Sequence, residues 1–339
     1  MSATATPLPS GSSVDAPSDP PVLGVVVPCY NEEEVLPETA RRLSEVLAGL
    51  RNDGLVHGAS FVLYVDDGSK DRTWTLIEEL HQADPRVGGR KLARNAGHQK
   101  ALLAGLMRAK DQADCIISID ADLQDDVEAI REFVLAFGRG YDVVYGVRRT
   151  RDTDTAFKRG TAQGFYRFMR TMDVDIVCNH ADYRLLSRRA LQHLADFGEV
   201  NLFLRGLVTL VGFPSTVVEY DRHERFAGES KYPFKKMLAF AIDGVTSFSI
   251  TPIRWVAGAG LAFVVLSLLA VLYAIVAKLL GDTVPGWSSL IASVWFIGGV
   301  QLVALGLIGE YVGKIYQEVK HRPRYIVEAD LYPTGGAQA

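Results

Sequence analysis

Cysteine is scarce in this chain, with three among 339 residues. Cys29, Cys115 and Cys178 lie far apart, and no two form a Cys-x-x-Cys pair. That spacing gives no support to a disulfide framework or a zinc site. Cys29 and Cys115 sit in or beside apolar runs, so they are expected to be small buried hydrophobes in a reducing compartment. An excess of one charge is also lacking: 36 basic residues face 40 acidic ones, for a formal net charge of −4. Without a global basic field, nucleic acid is not expected as a partner. Nor is the chain poor in hydrophobic residues, at 48% hydrophobic and 22% charged, which excludes global disorder. Residues 1–21 contain no apolar run and no basic start, and are rich in Ser, Ala, Pro, Thr and Asp. They are expected to form a disordered leader rather than a signal peptide, with the bulk that follows on the cytosolic side.

Organisation begins at Val22. Short β-branched runs alternate with stretches of helical spacing. Strands are expected at 22–27, 61–65, 87–92, 115–119 and 142–145, and helices at 32–50, 71–83, 99–110 and 126–137. Such alternation predicts an α/β fold, a mostly parallel sheet with helices on both faces, whose functional loops follow the carboxyl ends of the strands. Farther on, a helix is expected at 157–172, a strand at 183–186, helices at 188–196 and 201–210, and a strand at 215–220.

Long uncharged runs occur near the C-terminus, at 255–277 and 287–309. A bilayer core of about 30 Å needs about 20 apolar residues per helix, and both runs qualify. Trp255 and Trp287 are placed as interface anchors. Lys235, Lys236 and Arg254 before the pair, and Lys314, Lys320, Arg322 and Arg324 after it, put both flanks in the cytoplasm. The mild mean hydropathy of +0.10 thus averages a polar leader, an ordinary globular part and a transmembrane hairpin. The expected divisions are a leader at 1–21, a catalytic domain at 22–230, an amphipathic juxtamembrane segment at 231–254, the hairpin at 255–309 and a cytoplasmic tail at 310–339. Gly258, Gly260, Gly298, Gly299 and Gly306 would allow close helix packing and a homo-oligomer.

Three acidic clusters follow expected strands: Asn31-Glu32-Glu33, Asp66-Asp67-Gly68-Ser69 and Asp120-Ala121-Asp122-Leu123-Gln124-Asp125. One such cluster is ordinarily a helix cap, a role open to Asn31 and Ser69. Three converging on one sheet edge repel each other and call for a cation or a donor-rich ligand. In an extended Asp-x-Asp, Asp120 and Asp122 point the same way. With Gln124 they offer the hard oxygen ligands that suit Mg²⁺ or Mn²⁺.

Taken together, Val26-Val-Pro-Cys-Tyr-Asn-Glu32, Val65-Asp-Asp-Gly-Ser-Lys-Asp-Arg-Thr73, Arg94-Asn-Ala-Gly-His-Gln-Lys-Ala101 and Asp120-Ala-Asp-Leu-Gln-Asp125 resemble glycosyltransferase family 2, which has the GT-A fold. Arg225-Phe-Ala-Gly-Glu-Ser-Lys-Tyr232, followed by the hydrophobic hairpin, is similar to the polyprenyl-phosphate sugar synthases, the group of the bactoprenol glucosyltransferases and dolichol-phosphate mannose synthase. The resemblance covers roughly residues 22–325. It implies inverting transfer of a sugar from a nucleotide diphosphate sugar to a polyprenyl phosphate. Glucose from a UDP-sugar comes first, with the lipid bilayer as a further partner. By motif, Pro28, Tyr30, Glu32, Val65, Asp67 and Asp120 would bind the nucleotide, with Asp67 accepting a hydrogen bond from the base. Asp120, Asp122 and Gln124 would hold the metal. Arg148, Arg151, Arg225 and Lys231 would hold the acceptor phosphate. Asp122, Asp182 and Arg148 are the expected catalytic residues. Asp182 stands where relatives carry an acid near the sugar, with Arg184 as its alternative structural partner. His98 and Gln99 are assigned a helix cap or a sugar contact.

Two other readings of the same residues remain. A lipid hydroxyl such as that of diacylglycerol would serve as acceptor if Asp182 acted as a general base. A catalytically silent scaffold would use the hairpin to assemble a membrane partner.

Overall fold

The apolar runs become strands in the computed structural model of the chain, which describes residues 19–149, 180–199, 204–222, 249, 251–279 and 286–332. The expected helix at 157–172, Cys178, Arg151, Arg225 and Lys231 lie outside the described residues, as does most of the juxtamembrane segment and of the leader. The strands are β1 (Leu23–Cys29), β2 (Phe61–Asp66), β3 (Val87–Leu92), β4 (Cys115–Ser118), β5 (Val143–Arg148), β6 (His180–Ser187), β7 (Ser215–Tyr220) and β8 (Val327–Leu331). They form one eight-stranded sheet in the order β7-β5-β6-β4-β1-β2-β3-β8. β6 and β8 run against the other strands. β1, β2 and β4 are buried along their whole length, as strands covered on both faces must be.

The helices are α1 (Leu36–Asn52), α2 (Thr73–Ala83), α3 (His98–Ala109), α4 (Ile130–Gly138), α5 (Arg188–Ala195) and α6 (Leu204–Leu210) before the hairpin, then α7 (Thr251–Leu279) and α8 (Trp287–Val319). α1 buries Leu36, Leu43, Leu47 and Leu50 on one stripe and keeps Glu38 with Arg41 and Arg42 on the other. α3 covers the opposite face of the sheet from α1. Its closeness depends on Gly105: an added Cβ there would meet Val26 and would lie 2.7 Å from Val65 Cγ2. Cys29 and Cys115 are buried free thiols, as their apolar surroundings suggest.

Several boundaries shift for local reasons. β1 runs through Pro28, which pairs with Val65, and reaches Cys29 opposite Asp66. α1 starts at Leu36 rather than at 32, with a proline in its first turn, where no N–H is needed. A 3₁₀ turn at Val127–Ala129, capped by Asp126, precedes α4 and delays its start.

The largest departure concerns 310–339, expected as a tail. α8 extends to Val319, and the chain then supplies β8, which pairs antiparallel with β3 at the sheet edge. Asp330 of β8 takes Arg90 at 2.6 Å and Arg108 at 3.5 Å, and Lys91 meets Glu328 at 2.9 Å.

The chain divides into two compact units, the second of which contains α7 and α8. Within that unit Phe263 and Phe296 stack edge-on at 5.6 Å. Leu261, Leu268, Leu302 and Val303 are exposed apolar side chains on these helices. Among the described residues, Phe296–Val319 is long and apolar enough to cross a membrane.

Candidate active site

The ends of β1, β2 and β4 lie side by side because β1 pairs with both others in parallel. Their loops are braced crosswise. Asn31 N–H donates to Ser69 Oγ at 2.9 Å, Lys70 N–H donates to Asn31 Oδ1 at 2.9 Å, and Arg72 N–H donates to Glu33 Oε2 at 3.0 Å. Asn31 and Ser69 therefore join two loops rather than cap helices, whose first residues come later in the chain. Asn31 adopts a φ of 54° and Leu123 one of 56°. Such left-handed side-chain-bearing residues persist where surrounding contacts hold them.

Of the expected nucleoside-pocket residues, Tyr30 is 42% exposed at the β1 end, whereas Val65 is fully enclosed with Cγ2 toward α3. Pro28 is buried beside it, and Glu32 begins the loop into α1, its backbone N–H donating to Thr73 Oγ1 at 2.9 Å. Asp67 is nearly sealed. Its two carboxylate oxygens accept the Ala96 N–H at 2.7 Å and the Gly97 N–H at 3.0 Å. Burial pushes its carboxyl up, and those two bonds pull it back. Asp67 is thus a strut under the β3–α3 loop, with lone pairs left over for a further donor. Gly68 makes the same loop contact possible. At its φ of 68°, a Cβ would lie 2.7 Å from the backbone of Arg94 and Asn95.

That loop delivers His98 to the centre of the site. Its Nε2 stands 3.4 Å from Asp120 Oδ1 and 3.6 Å from Asp182 Oδ2. The N-terminus of α3 has no side-chain cap, and Gln99 Oε1 instead accepts the Leu204 N–H at 3.1 Å. His98 is thus an electrostatic link between two carboxylates, and its imidazole is raised above its ordinary value. Burial opposes that shift, and Asp182 and Asp120 drive it.

Asp120 keeps about a third of its side chain exposed, at 34%. Enclosure by the surrounding chain nevertheless pushes its carboxyl up to about 6; His98 works against the shift, and the Asp182, Asp125 and Asp122 charges add to it. Asp122 Oδ1 accepts the Gln124 N–H at 3.1 Å, which closes the turn around Leu123. The Gln124 side-chain oxygen accepts a hydrogen bond from Arg222. No group of three His, Cys, Asp or Glu side chains gathers into a complete metal site among the described residues. Two carboxylates whose charges repel fit an ion such as Mg²⁺, which keeps waters and completes its shell with phosphate oxygens.

Asp182, on β6, is held by two guanidinium groups and an imidazole. Arg184 donates to Oδ1, Arg205 reaches both oxygens at 3.2 and 3.3 Å, and His98 approaches Oδ2. Burial alone would raise this carboxyl. The His98 hydrogen bond and the Arg184 and Arg205 charges outweigh it and hold Asp182 well below the usual carboxylate range. Arg148, at the end of β5, pairs with buried Asp125 at 3.2 Å and meets the Tyr220 hydroxyl at 3.3 Å. That hydroxyl in turn donates to Asp125 at 2.7 Å. The sequence pattern did not single out Arg205, Arg222 or Tyr220. The one available signal was Arg205 itself, a lone charge in the apolar stretch 202–213.

Residues 24–195 match the glycosyl transferase family 2 profile, and residues 251–315 match the GtrB C-terminal hairpin. An uncharacterized glycosyltransferase of Bacillus subtilis (strain 168), YkoT, is 55% identical over 92% of this chain and 93% of its own length. The bactoprenol glucosyl transferase of Shigella phage SfV is 39% identical over 90% of this chain and 98% of its own. A prophage bactoprenol glucosyl transferase homolog of Escherichia coli (strain K12) is 36% identical over the same shares, 90% and 98%. Since these likenesses run through both the sheet and the helices that follow it, the chain belongs to glycosyltransferase family 2, with a GT-A-type fold and a GtrB-type C-terminal hairpin.

Proposed function

We propose that this glycosyltransferase moves a sugar, glucose in the first instance, from a UDP-sugar to the phosphate of a polyprenyl phosphate, with inversion at the sugar carbon. The relatives include bactoprenol glucosyl transferases, which supports the acceptor class. One observation carries the reading: the Asp182 carboxylate is occupied by Arg184, Arg205 and His98. A hydroxyl acceptor needs a base whose pKa lies near the working pH. A carboxylate held far below that range is a poor proton acceptor. A phosphate monoester, with a second pKa near ~6, is already a nucleophile at pH 7 and needs no base.

On this reading an acceptor phosphate oxygen attacks the sugar carbon, and the bond to the nucleotide diphosphate breaks. Arg148, Arg151, Arg225 and Lys231 are assigned to the acceptor phosphate. Tyr30, Glu32 and Asp67, over the Pro28–Val65 floor, are assigned to the nucleoside. Asp120 and Asp122, with Gln124 if it leaves Arg222, would hold Mg²⁺ or Mn²⁺; a bound divalent ion neutralises charge on the departing diphosphate. The hairpin would keep the enzyme in the cytoplasmic membrane with both termini and the site on the cytoplasmic side. There a membrane-bound acceptor is met at high effective concentration. The test is a screen of nucleotide sugars against polyprenyl phosphate and diacylglycerol with Mg²⁺ and Mn²⁺. Transfer to diacylglycerol in preference to polyprenyl phosphate would overturn the assignment.

A further inference from the structure

Asp125 is a buried carboxylate used from one side only. Its side chain is 1% exposed. Oδ1 accepts the Tyr220 hydroxyl at 2.7 Å and two N–H groups of Arg148, Nε at 3.3 Å and Nη2 at 3.2 Å. Oδ2 is buried and has no hydrogen-bond partner among the described residues. Leaving a buried carboxylate oxygen unpaired is costly. An ion pair built for stability would spread the two guanidinium donors over both oxygens, the stronger fork arrangement. Stability therefore does not account for this geometry.

Its neighbours fix the arrangement in place. Tyr220 pairs with Arg148 across β7 and β5, so both side chains leave the same face of the sheet. The Tyr220 hydroxyl also accepts from Arg148 Nε at 3.3 Å. Its ring stands edge-on to Tyr183 at 5.1 Å, and the Tyr183 hydroxyl donates to Asp126 O at 2.9 Å. Gly146, two residues before Arg148, makes room for these rings: a Cβ there would lie 3.0 Å from Tyr220 Cε1 and 3.1 Å from Phe133 Cζ. Just beyond β7, Arg222 forms a backbone bridge with Asp125. Asp125 itself closes the segment that opens with Asp120 and Asp122. One carboxylate thus joins the turn assigned to the metal to an arginine assigned to the acceptor, whose side chain stays 33% exposed.

We propose that Asp125 and Tyr220 are positioning residues that aim the Arg148 guanidinium at the acceptor phosphate and hold it at a set distance from the Asp-x-Asp turn. Neither touches the phosphate. They take the Nε and Nη2 edge of the guanidinium, and the phosphate meets what they leave open. This inference rests on the proposed sugar transfer to a lipid phosphate, in which Arg148 is an acceptor ligand.

Full-length protein in detergent or nanodiscs is compared with Tyr220→Phe, Asp125→Asn, Arg148→Gln and the double variant Tyr220→Phe with Arg148→Gln. Measured for each are kcat and KM for polyprenyl phosphate, UDP binding and the melting temperature. Tyr220→Phe keeps the ring and removes one hydroxyl. It should lower kcat/KM for polyprenyl phosphate about 3- to 10-fold and leave UDP affinity unchanged. Asp125→Asn removes the charge that holds the guanidinium and should lower kcat/KM about 10- to 100-fold. In the Arg148→Gln background, Tyr220→Phe should change kcat/KM by less than about twofold, because the group it aims is gone. A merely structural tyrosine would cost the same in both backgrounds, and that result would overturn the proposal. So would an unchanged kcat/KM in Arg148→Gln, or an equal loss of UDP affinity in Tyr220→Phe. Should wild-type protein transfer no sugar to polyprenyl phosphate, the proposed function fails. The same cycle, read through binding of inorganic phosphate, then decides the positioning role: coupling between the two positions supports it, and additive losses or none overturn it.

Discussion

Replacing Asp330 with alanine should destabilise the catalytic sheet far more than replacing Glu328, two residues away on the same strand. Asp330 takes two hydrogen bonds from Arg90, at 2.6 and 3.2 Å, and stands 3.5 Å from Arg108. Side-chain exposures in this trio are 12%, 15% and 16%. Removing one partner from a fully buried ion pair costs about 3–5 kcal/mol, because an uncompensated charge is left behind. The loss here is smaller. Arg90 keeps the Ala104 carbonyl at 3.2 Å, and Arg108 keeps the Tyr332 ring at 4.2 Å. A cost of about 2–3 kcal/mol follows. Glu328 is 49% exposed opposite Lys91, and its loss should cost under about 1 kcal/mol. Urea unfolding of the full chain in detergent, followed by fluorescence, gives the comparison. Trp74 reports locally, since it lies with Leu331 around Gly89. In a double-mutant cycle, Arg90→Met with Asp330→Leu should recover part of the loss, since the apolar pair removes the Arg90 charge while Arg108 still loses its carboxylate. Equal costs for Asp330→Ala and Glu328→Ala would refute the reasoning and reduce β8 to a loosely attached edge.

Other consequences follow from the site. Asp122→Ala should lower transfer by about a hundredfold or more while leaving the melting temperature in place; wild-type activity that survives complete chelation would sink the metal assignment. Gly68→Ala should cost about 2 kcal/mol or more, since it combines a left-handed φ with a backbone clash against Arg94 and Asn95. UDP affinity should fall with it, and an unchanged unfolding midpoint would argue against the tight loop contact. Asp182 carries a pH signature. Its folded carboxyl is held below the usual range, so its stabilisation is complete above the unfolded value of about 3.9 and fades as pH falls below it. The stability gap between wild type and Asp182→Asn should therefore be widest above about pH 5 and narrow below about pH 4; a gap independent of pH would contradict the ion-pair account.

Much of the sheet was legible because buried parallel strands are continuous apolar runs, and such runs are hard to misplace. β2 and β4, buried throughout, end within one residue of their expected ranges, 61–65 and 115–119. The acidic clusters were legible for a related reason: polar residues directly after a buried strand must lie at its carboxyl end. β8 was not. Val-Glu-Ala-Asp-Leu has weak strand propensity, and its partner β3 lies more than two hundred residues earlier, so its reason for being a strand is tertiary. The position of His98 at a helix start points to a cap or a sugar contact. Its link to Asp120 and Asp182 depends on β4 and β6 being neighbours, which local pattern does not report. Arg205 escaped for the same reason, and Gln124 looked like a simple ligand because Arg222 is 98 residues away.

The site and the hairpin bear on one question, the nature of the acceptor. An enzyme that activates a hydroxyl keeps a carboxylate or imidazole ready to take a proton, and such a group cannot also be tied into a buried guanidinium cage. Here Asp182 is so tied, and His98 shares itself between two carboxylates. Asp182, held well below the usual carboxylate range, is not arranged as a poised base. On the proposed reading Arg148, at the β5 end and paired with Asp125, is the described cation assigned to an oxyanion instead. Such an arrangement suits a nucleophile that arrives already ionised, and a phosphate monoester is one at neutral pH. The long apolar helices add the remaining condition. Side chains such as Leu302 and Val303 are exposed along α8, a cost in water that vanishes in hydrocarbon. A phosphate that carries its own charge and is held at a bilayer by its own lipid chain meets both demands, whereas a soluble phosphate leaves the hairpin without a purpose.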